Sequence, residues 1–143
     1  MKITLLAIGK MRGADAELCD EYKKRFAGSL SVKEITAANA KGESESLLKA
    51  IPAKAFAVVC DERGKDLSSR ELAEKVAMWQ NRAVEMVFII GGADGVSDDM
   101  RARADFLLSL GRKTWPHRLA RVMLLEQLYR AQQINAGHPY HRD

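Results

Sequence analysis

The apolar positions along the chain alternate between two rhythms. Ile3–Ile8 is an apolar, β-prone run closed by Gly9, whereas Asp15–Phe26 carries Leu18, Tyr22 and Phe26 four apart, on one stripe of a helix. Val32–Thr36 predicts a short strand, and Glu43–Ala50 a helix that ends before Pro52. Ala55–Cys60 and Val84–Ile90 are continuous apolar runs, the mark of strands covered on both faces. Asp61–Asp66 reads as a polar turn. Ser68, with Glu71 three residues on, forms a capping box for a helix over Ser69–Arg82. Ser97 before Asp98 and Asp99 predicts another helix start, and Phe106–Leu110 a short strand. Thr114 and Pro116 read as the cap and early proline of the longest helix, His117–Asn135, which Gly137 stops. Strands alternating with helices predict an α/β fold, a mostly parallel sheet flanked by helices. Without linker or repeat, residues 1–143 are expected to form a single domain.

Composition narrows the class. With 143 residues, 47% of them hydrophobic, the chain can build a core without disulfide or metal staples. Its apolar runs are too short to span a bilayer, and the N-terminal run lacks the length and cleavage site of a secretory signal. Cys19 and Cys60 have no paired spacing and are expected to be reduced, in keeping with a cytoplasmic protein. The net charge of +4 is unevenly placed. Residues 1–110 carry 17 basic and 17 acidic side chains, so the whole excess, with all three histidines, lies in residues 111–143. A concentrated basic segment suits a polyanion such as RNA, and it also suits a solvated helix face.

Ligands of parallel sheets collect at the carboxyl ends of strands, and three expected strand ends here are unusual. They are Cys60-Asp61-Glu62-Arg63-Gly64, Ile90-Gly91-Gly92-Ala93-Asp94-Gly95, and Ser109-Leu110-Gly111-Arg112-Lys113-Thr114-Trp115-Pro116-His117. Three glycines within five residues allow a sharp turn and close approach to a ligand. The run matches neither the dinucleotide fingerprint nor the phosphate loop, which disfavours a nucleotide-dependent oxidoreductase. No Cys, His or Asp set has zinc spacing, so no metal is expected, and no nucleophile–base arrangement is recognisable. From the residues alone the reading ends at an α/β domain with a glycine-lined pocket and a basic C-terminal segment.

An ordered set of segments carries a resemblance. Asp61-Glu62-Arg63-Gly64-Lys65, Ile89–Gly95, Ser109-Leu110, Thr114–His117, Arg121–Ala131 and Pro139-Tyr140-His141 follow one another in order, and the match covers essentially the whole chain. Together they resemble the RlmH-type methyltransferases of the SPOUT superfamily, which modify N3 of a pseudouridine in 23S rRNA. The resemblance implies a C-terminal trefoil knot, a homodimer with each cofactor pocket close to the partner chain, and S-adenosyl-L-methionine as methyl donor. It implies 23S rRNA in the assembled ribosome as substrate. Carried onto this sequence, the donor would touch Cys60, Gly91, Gly92, Leu110, Gly111, Arg112, Lys113, Thr114, Trp115 and Pro116, largely through backbone groups. His117, Arg121, Arg130, Tyr140 and His141 are the implied catalytic candidates for orienting the base or stabilising its anion, and Lys113 and Arg142 for contacting phosphate. Glu126 and Arg130, four apart on the same helix, equally suit a plain ion pair. Cys60, Gly111-Arg112-Lys113 and Trp115 depart from the residues usual in the family. Other RNA substrates, or a non-catalytic ribosome-binding role, are the competing expectations.

Overall fold

The computed structural model describes residues 2–83 and 85–143, so Val84, the first residue of one expected strand, lies outside them. In chain order the elements are β1 (Lys2–Ile8), α1 (Gly13–Arg25), β2 (Ser29–Ile35), α2 (Ala40–Ala50), β3 (Phe56–Asp66), α3 (Ser69–Gln80), β4 (Glu85–Ile90), α4 (Asp98–Arg103), β5 (Phe106–Ser109) and α5 (His117–Asn135). The five strands form one sheet in the order β2-β1-β4-β3-β5, with every pairing parallel.

The sheet is covered on both faces, as the unbroken apolar runs require. On one face Leu5, Val58 and Phe88 pack with Trp79 of α3, Cys19 of α1, and Leu124, Leu125 and Leu128 of α5. On the other, Leu6, Val59, Val87 and Ile89 meet Leu47 of α2 and Met100 of α4. Trp79 anchors the first core, stacked on Phe56 at 5.2 Å and tilted against Phe106 at 5.0 Å between ring centroids.

Local signals hold where they are short-range. The Ser68 hydroxyl accepts from the Glu71 N–H at 3.1 Å, and the Glu71 carboxylate accepts from the Ser68 N–H at 2.8 Å, closing the capping box. Ser97 caps α4 by accepting from Met100 N at 3.1 Å. Gly137, at φ +75°, follows the end of α5.

Three expectations are corrected. Residues 61–66 are not a free turn: β3 continues to Asp66, pairing with β5 at Cys60, shifting register, and pairing again at Lys65 and Asp66. Partner availability on β5 overrides the polar composition. In α1 the buried residue is Cys19, while Leu18 stays 44% exposed, because the helix rolls to put Cys19 against the core. Thr114 does not cap α5; Pro116 occupies the cap position, with no side-chain bond.

Candidate active site

Because all five strands run the same way, their carboxyl ends share one edge. There β3, β4 and β5 open into a cleft of about 310 Å³. β3 contributes Cys60, Asp61 and Glu62, and the turn after β4 contributes Gly91–Val96. The chain after β5 contributes Leu110, Gly111, Lys113, Thr114 and Trp115, and the first turn of α5 adds His117. The structure thus brings together eight of the ten residues expected at the cofactor, plus His117. Arg112 and Pro116 belong to the same loop but do not line the cleft.

The glycine turn has a packing reason. A Cβ on Gly91 would collide with the carbonyl oxygen of Gly95, so the two backbones can lie against each other only if residue 91 is glycine. Gly95 N donates to Gly92 O at 3.0 Å and closes the turn. A Cβ on Gly92 would stand 2.9 Å from a Glu43 carboxylate oxygen and 3.2 Å from Ile8, so it points behind the cleft rather than into it.

A buried ion pair ties the cleft to α4. The Asp61 side chain, 4% exposed, accepts from Arg101 Nε at 2.6 Å, and Arg101 Nη1 reaches Asp98 at 2.8 Å. The sequence marks Asp61 only within an unusual strand end and gives no sign of its pairing with Arg101; the available signal is an acid directly after a buried apolar run. Burial, reinforced by the Asp61 charge, pushes the Cys60 thiol up to about 12. Cys60 is therefore a protonated, apolar wall, not a nucleophile.

The remaining candidates lie elsewhere. Arg130 grips Glu126, with Nη2 at 2.7 Å and Nε at 3.1 Å, and lies 4.8 Å from the Tyr140 ring centroid. The Tyr140 hydroxyl donates to Glu126 at 3.0 Å. Burial and that carboxylate push the Tyr140 phenol up to about 12. His141 Nδ1 lies 3.1 Å from Arg130 Nη1, so it accepts from the guanidinium, while Nε2 lies 2.9 Å from Asp143. Asp143 is held in turn by Arg70 of α3 at 2.8 Å. Arg130, Tyr140 and His141 thus form one network pinning the tail to α5 and α3, and none of them lines the cleft. Arg142 is exposed beside them.

Arg121 departs most from expectation. It is 2% exposed, bonded to Glu34 at 2.6 Å and to the carbonyls of Ile8 and Gly9 at 3.2 and 3.0 Å. One turn beyond His117 on α5, it points inward and clamps the helix to the ends of β1 and β2. Burial opposes ionisation of Glu34, but the Met11 N–H and Arg121 outweigh it and hold the carboxyl below its usual range.

Among the described residues no helix is long and apolar enough to cross a membrane, and no cluster of three or more His, Cys, Asp or Glu side chains is placed to hold a metal ion. The site is instead a strand-end cleft with mixed apolar and acidic walls in an all-parallel α/β protein, as suits a small-molecule donor. Residues 1–141 match the family described as "Predicted SPOUT methyltransferase", and the chain belongs to that family. It is 44% identical to the ribosomal RNA large subunit methyltransferase H of Rhodospirillum centenum over 99% of both chains. It is 43% identical to the protein of that name from Paracoccus denitrificans over 100% of both. Among solved structures, a probable methylase family protein from Haemophilus influenzae Rd KW20 superposes with a TM-score of 0.61 at 12% identity, covering 99% of this chain and 70% of the other, a likeness of fold.

Enzymes of this family take their methyl group from S-adenosyl-L-methionine. The residues present fit that donor. Ile90, Val96, Leu110 and Trp115 offer apolar surface for a purine, and the exposed carboxylates of Glu62 and Asp94 favour a cationic sulfonium.

Proposed function

We propose that the protein transfers a methyl group from S-adenosyl-L-methionine to N3 of a pseudouridine in 23S rRNA, acting in the cytoplasm on the assembled ribosome as a homodimer. The observation that carries this reading is the convergence of Cys60, Gly91, Gly92, Leu110, Gly111, Lys113, Thr114 and Trp115 on one cleft. Similarity to relatives named for the large ribosomal subunit supports the substrate class.

The bound donor would supply a methyl already activated on sulfur, so the protein's task is alignment. Leu110 and Trp115 exclude water from one wall, and His117 stands at the cleft where an acceptor base would enter. The N3 proton of the acceptor leaves to solvent before the N–C bond forms as the C–S bond breaks. A cation facing the resulting imide anion lowers the cost of that ionisation. Arg130, held in place by Glu126, suits the part, with Tyr140 and His141 orienting it. Arg112, Lys113, Arg118 and Arg142, all exposed, suit the phosphates of the RNA.

Two features support a homodimer. The Arg130–Tyr140–His141 network does not reach the cleft of its own chain. Leu18, Trp115 and Leu119 are exposed apolar side chains, and Leu18 borders a groove lined by Tyr22, Leu67, Leu110 and Val122. A second copy seated there would cover this surface and set one chain's tail beside the other's cleft.

The trefoil knot belongs to the same reading. β3 pairs with β5 on both sides of residues 61–64. Gly64 lies so close over β5 that a Cβ would stand 2.6 Å from the Leu107 carbonyl. The register break at this stretch of β3 supports the reading that the chain bound for α5 passes there.

The test is transfer of labelled methyl to ribosomes lacking the modification, with the nucleotide mapped. Label at N3 of a large-subunit pseudouridine is the expected result. Transfer only to tRNA or to another rRNA base would overturn the substrate assignment and keep the donor site.

A further inference from the structure

Ser109 and Arg121 are the buried polar side chains among the described residues. Arg121 clamps α5. Ser109, 5% exposed at the end of β5, spends its hydroxyl on one neighbour: Oγ donates to the Gly111 carbonyl at 2.8 Å and accepts from the Gly111 N–H at 3.1 Å. This pair of hydrogen bonds to the residue two positions on closes a tight turn. Gly111 sits at φ +110°, a conformation that side chains disfavour, and nothing lies within 4 Å of where its Cβ would stand. Glycine is therefore required there for its torsion and not for space. The loop is fastened again further on, where the Trp115 indole N–H donates to the Leu110 carbonyl at 3.2 Å. Ser109, Leu110, Gly111 and Trp115 all line the strand-end cleft.

We propose that Ser109 is a positioning residue for the methyl donor: its hydroxyl presets the Leu110–Gly111 turn, with Trp115 as the second fastening, so that the wall of the cleft stands in its binding shape before the donor arrives. The proposal rests on the reading of this cleft as the donor site. A free loop at this position would visit many conformers, and apparent affinity falls in proportion to the fraction of time the competent one is occupied. Ser109 also fixes which polar groups remain for the ligand. The Gly111 N–H is consumed within the turn and is withheld from the ligand.

The experiment is calorimetric titration of the full-length protein with S-adenosylhomocysteine, the demethylated product of the donor, alongside melting temperatures and steady-state rates. If removal of the hydroxyl leaves the loop in its competent form about a tenth of the time, Ser109→Ala weakens binding ~10-fold. Ser109→Thr, which keeps the hydroxyl, binds within about three-fold of the parent, and Trp115→Phe weakens binding several-fold. The KM for the donor rises with the Kd, while kcat at saturating donor changes much less. A Ser109→Ala protein that melts lower yet binds as the parent does overturns the proposal, as do equal losses in the Ala and Thr variants. Should Ser109→Ala fail to fold, Trp115→Phe, on the exposed side of the loop, replaces it, and parental binding by that variant overturns the proposal instead. If the parent binds no S-adenosylhomocysteine, the donor-site reading itself falls, which is a different result from tight binding that Ser109 does not influence.

Discussion

Arg121 Nη1 stands 2.6 Å from Glu34 Oε2, joining the last helix to the second strand across 87 residues of chain. The same guanidinium also holds the carbonyls of Ile8 and Gly9. An arginine committed in this way serves the shape of the site from behind. Breaking a buried pair by removing one partner costs about 3 kcal/mol or more. Arg121→Met is therefore expected to lower stability by ~3 kcal/mol, at the low end of that range because Glu34 is one-third exposed. Urea unfolding measures this; an unchanged midpoint with lost methylation would return Arg121 to the catalytic candidates.

The same pair sets a pH dependence. The folded-state pKa of Glu34 is depressed, so its contribution to stability is fully present above the ordinary glutamate value and is lost as pH falls through the depressed one. As pH falls below the ordinary glutamate range the parent should lose more stability than Glu34→Gln. Parallel acid-unfolding curves for the two proteins would contradict this.

Gly91 and Gly92 are neighbours with different tolerances. Gly91→Ala drives a methyl into the Gly95 carbonyl, backbone against backbone, and overpacking of that kind costs about 1–3 kcal/mol. Gly92→Ala meets the flexible end of Glu43, which can swing away. Melting temperature and donor binding should both suffer in the Gly91 variant and stay near the parent's in the Gly92 variant. Equal damage would mean that Gly92 contacts the donor directly.

Tyr140 titrates at about 12 rather than at the 10 of a free phenol. Because the folded pKa is raised, its contribution to stability is present below pH 10 and declines as pH rises beyond it. Ultraviolet titration should show a tyrosine ionising at about 12, and that transition should vanish in Tyr140→Phe. A phenol held neutral is a hydrogen-bond donor to Glu126 and not a general base. Methylation should accordingly show no rate limb near pH 10 arising from Tyr140.

The separation of cleft and tail network makes a prediction about mixed dimers. His117→Ala damages a cleft and Arg130→Ala damages a tail network. If each active site combines one chain's cleft with the other chain's tail, a random mixture regains about a quarter of parental activity, because half the dimers carry one intact site. Two proteins that stay inactive when mixed would place both groups in the same chain's site.

The sequence exposes what is local or periodic. The Ser68–Glu71 box depends on four residues, and the strands Ala55–Cys60 and Val84–Ile90 announce themselves as unbroken apolar runs, so their ends could be named as the cleft. Contacts distant in sequence were not legible. Arg121 looks like any cation on a basic helix, and only the fold reveals that its face of α5 meets the ends of β1 and β2. Asp61–Asp66 has a turn's composition, and only the presence of β5 beside it makes it a strand. The Asp61–Arg101 and Ser109–Gly111 contacts hide for another reason: hydroxyls and acids near strand ends are common, and burial alone distinguishes these.

The helix that shields the first strand is the last one made. Ile3, Leu5 and Ala7 of β1 share a core with Leu124, Leu125, Leu128 and Ala131 of α5. During synthesis β1 leaves the ribosome well before α5, which supplies the larger part of the cover on that face. Until α5 follows, Ile3, Leu5 and Ala7 have only part of their cover, from Cys19 of α1, so chains cut short of α5 are expected to expose apolar surface and to aggregate.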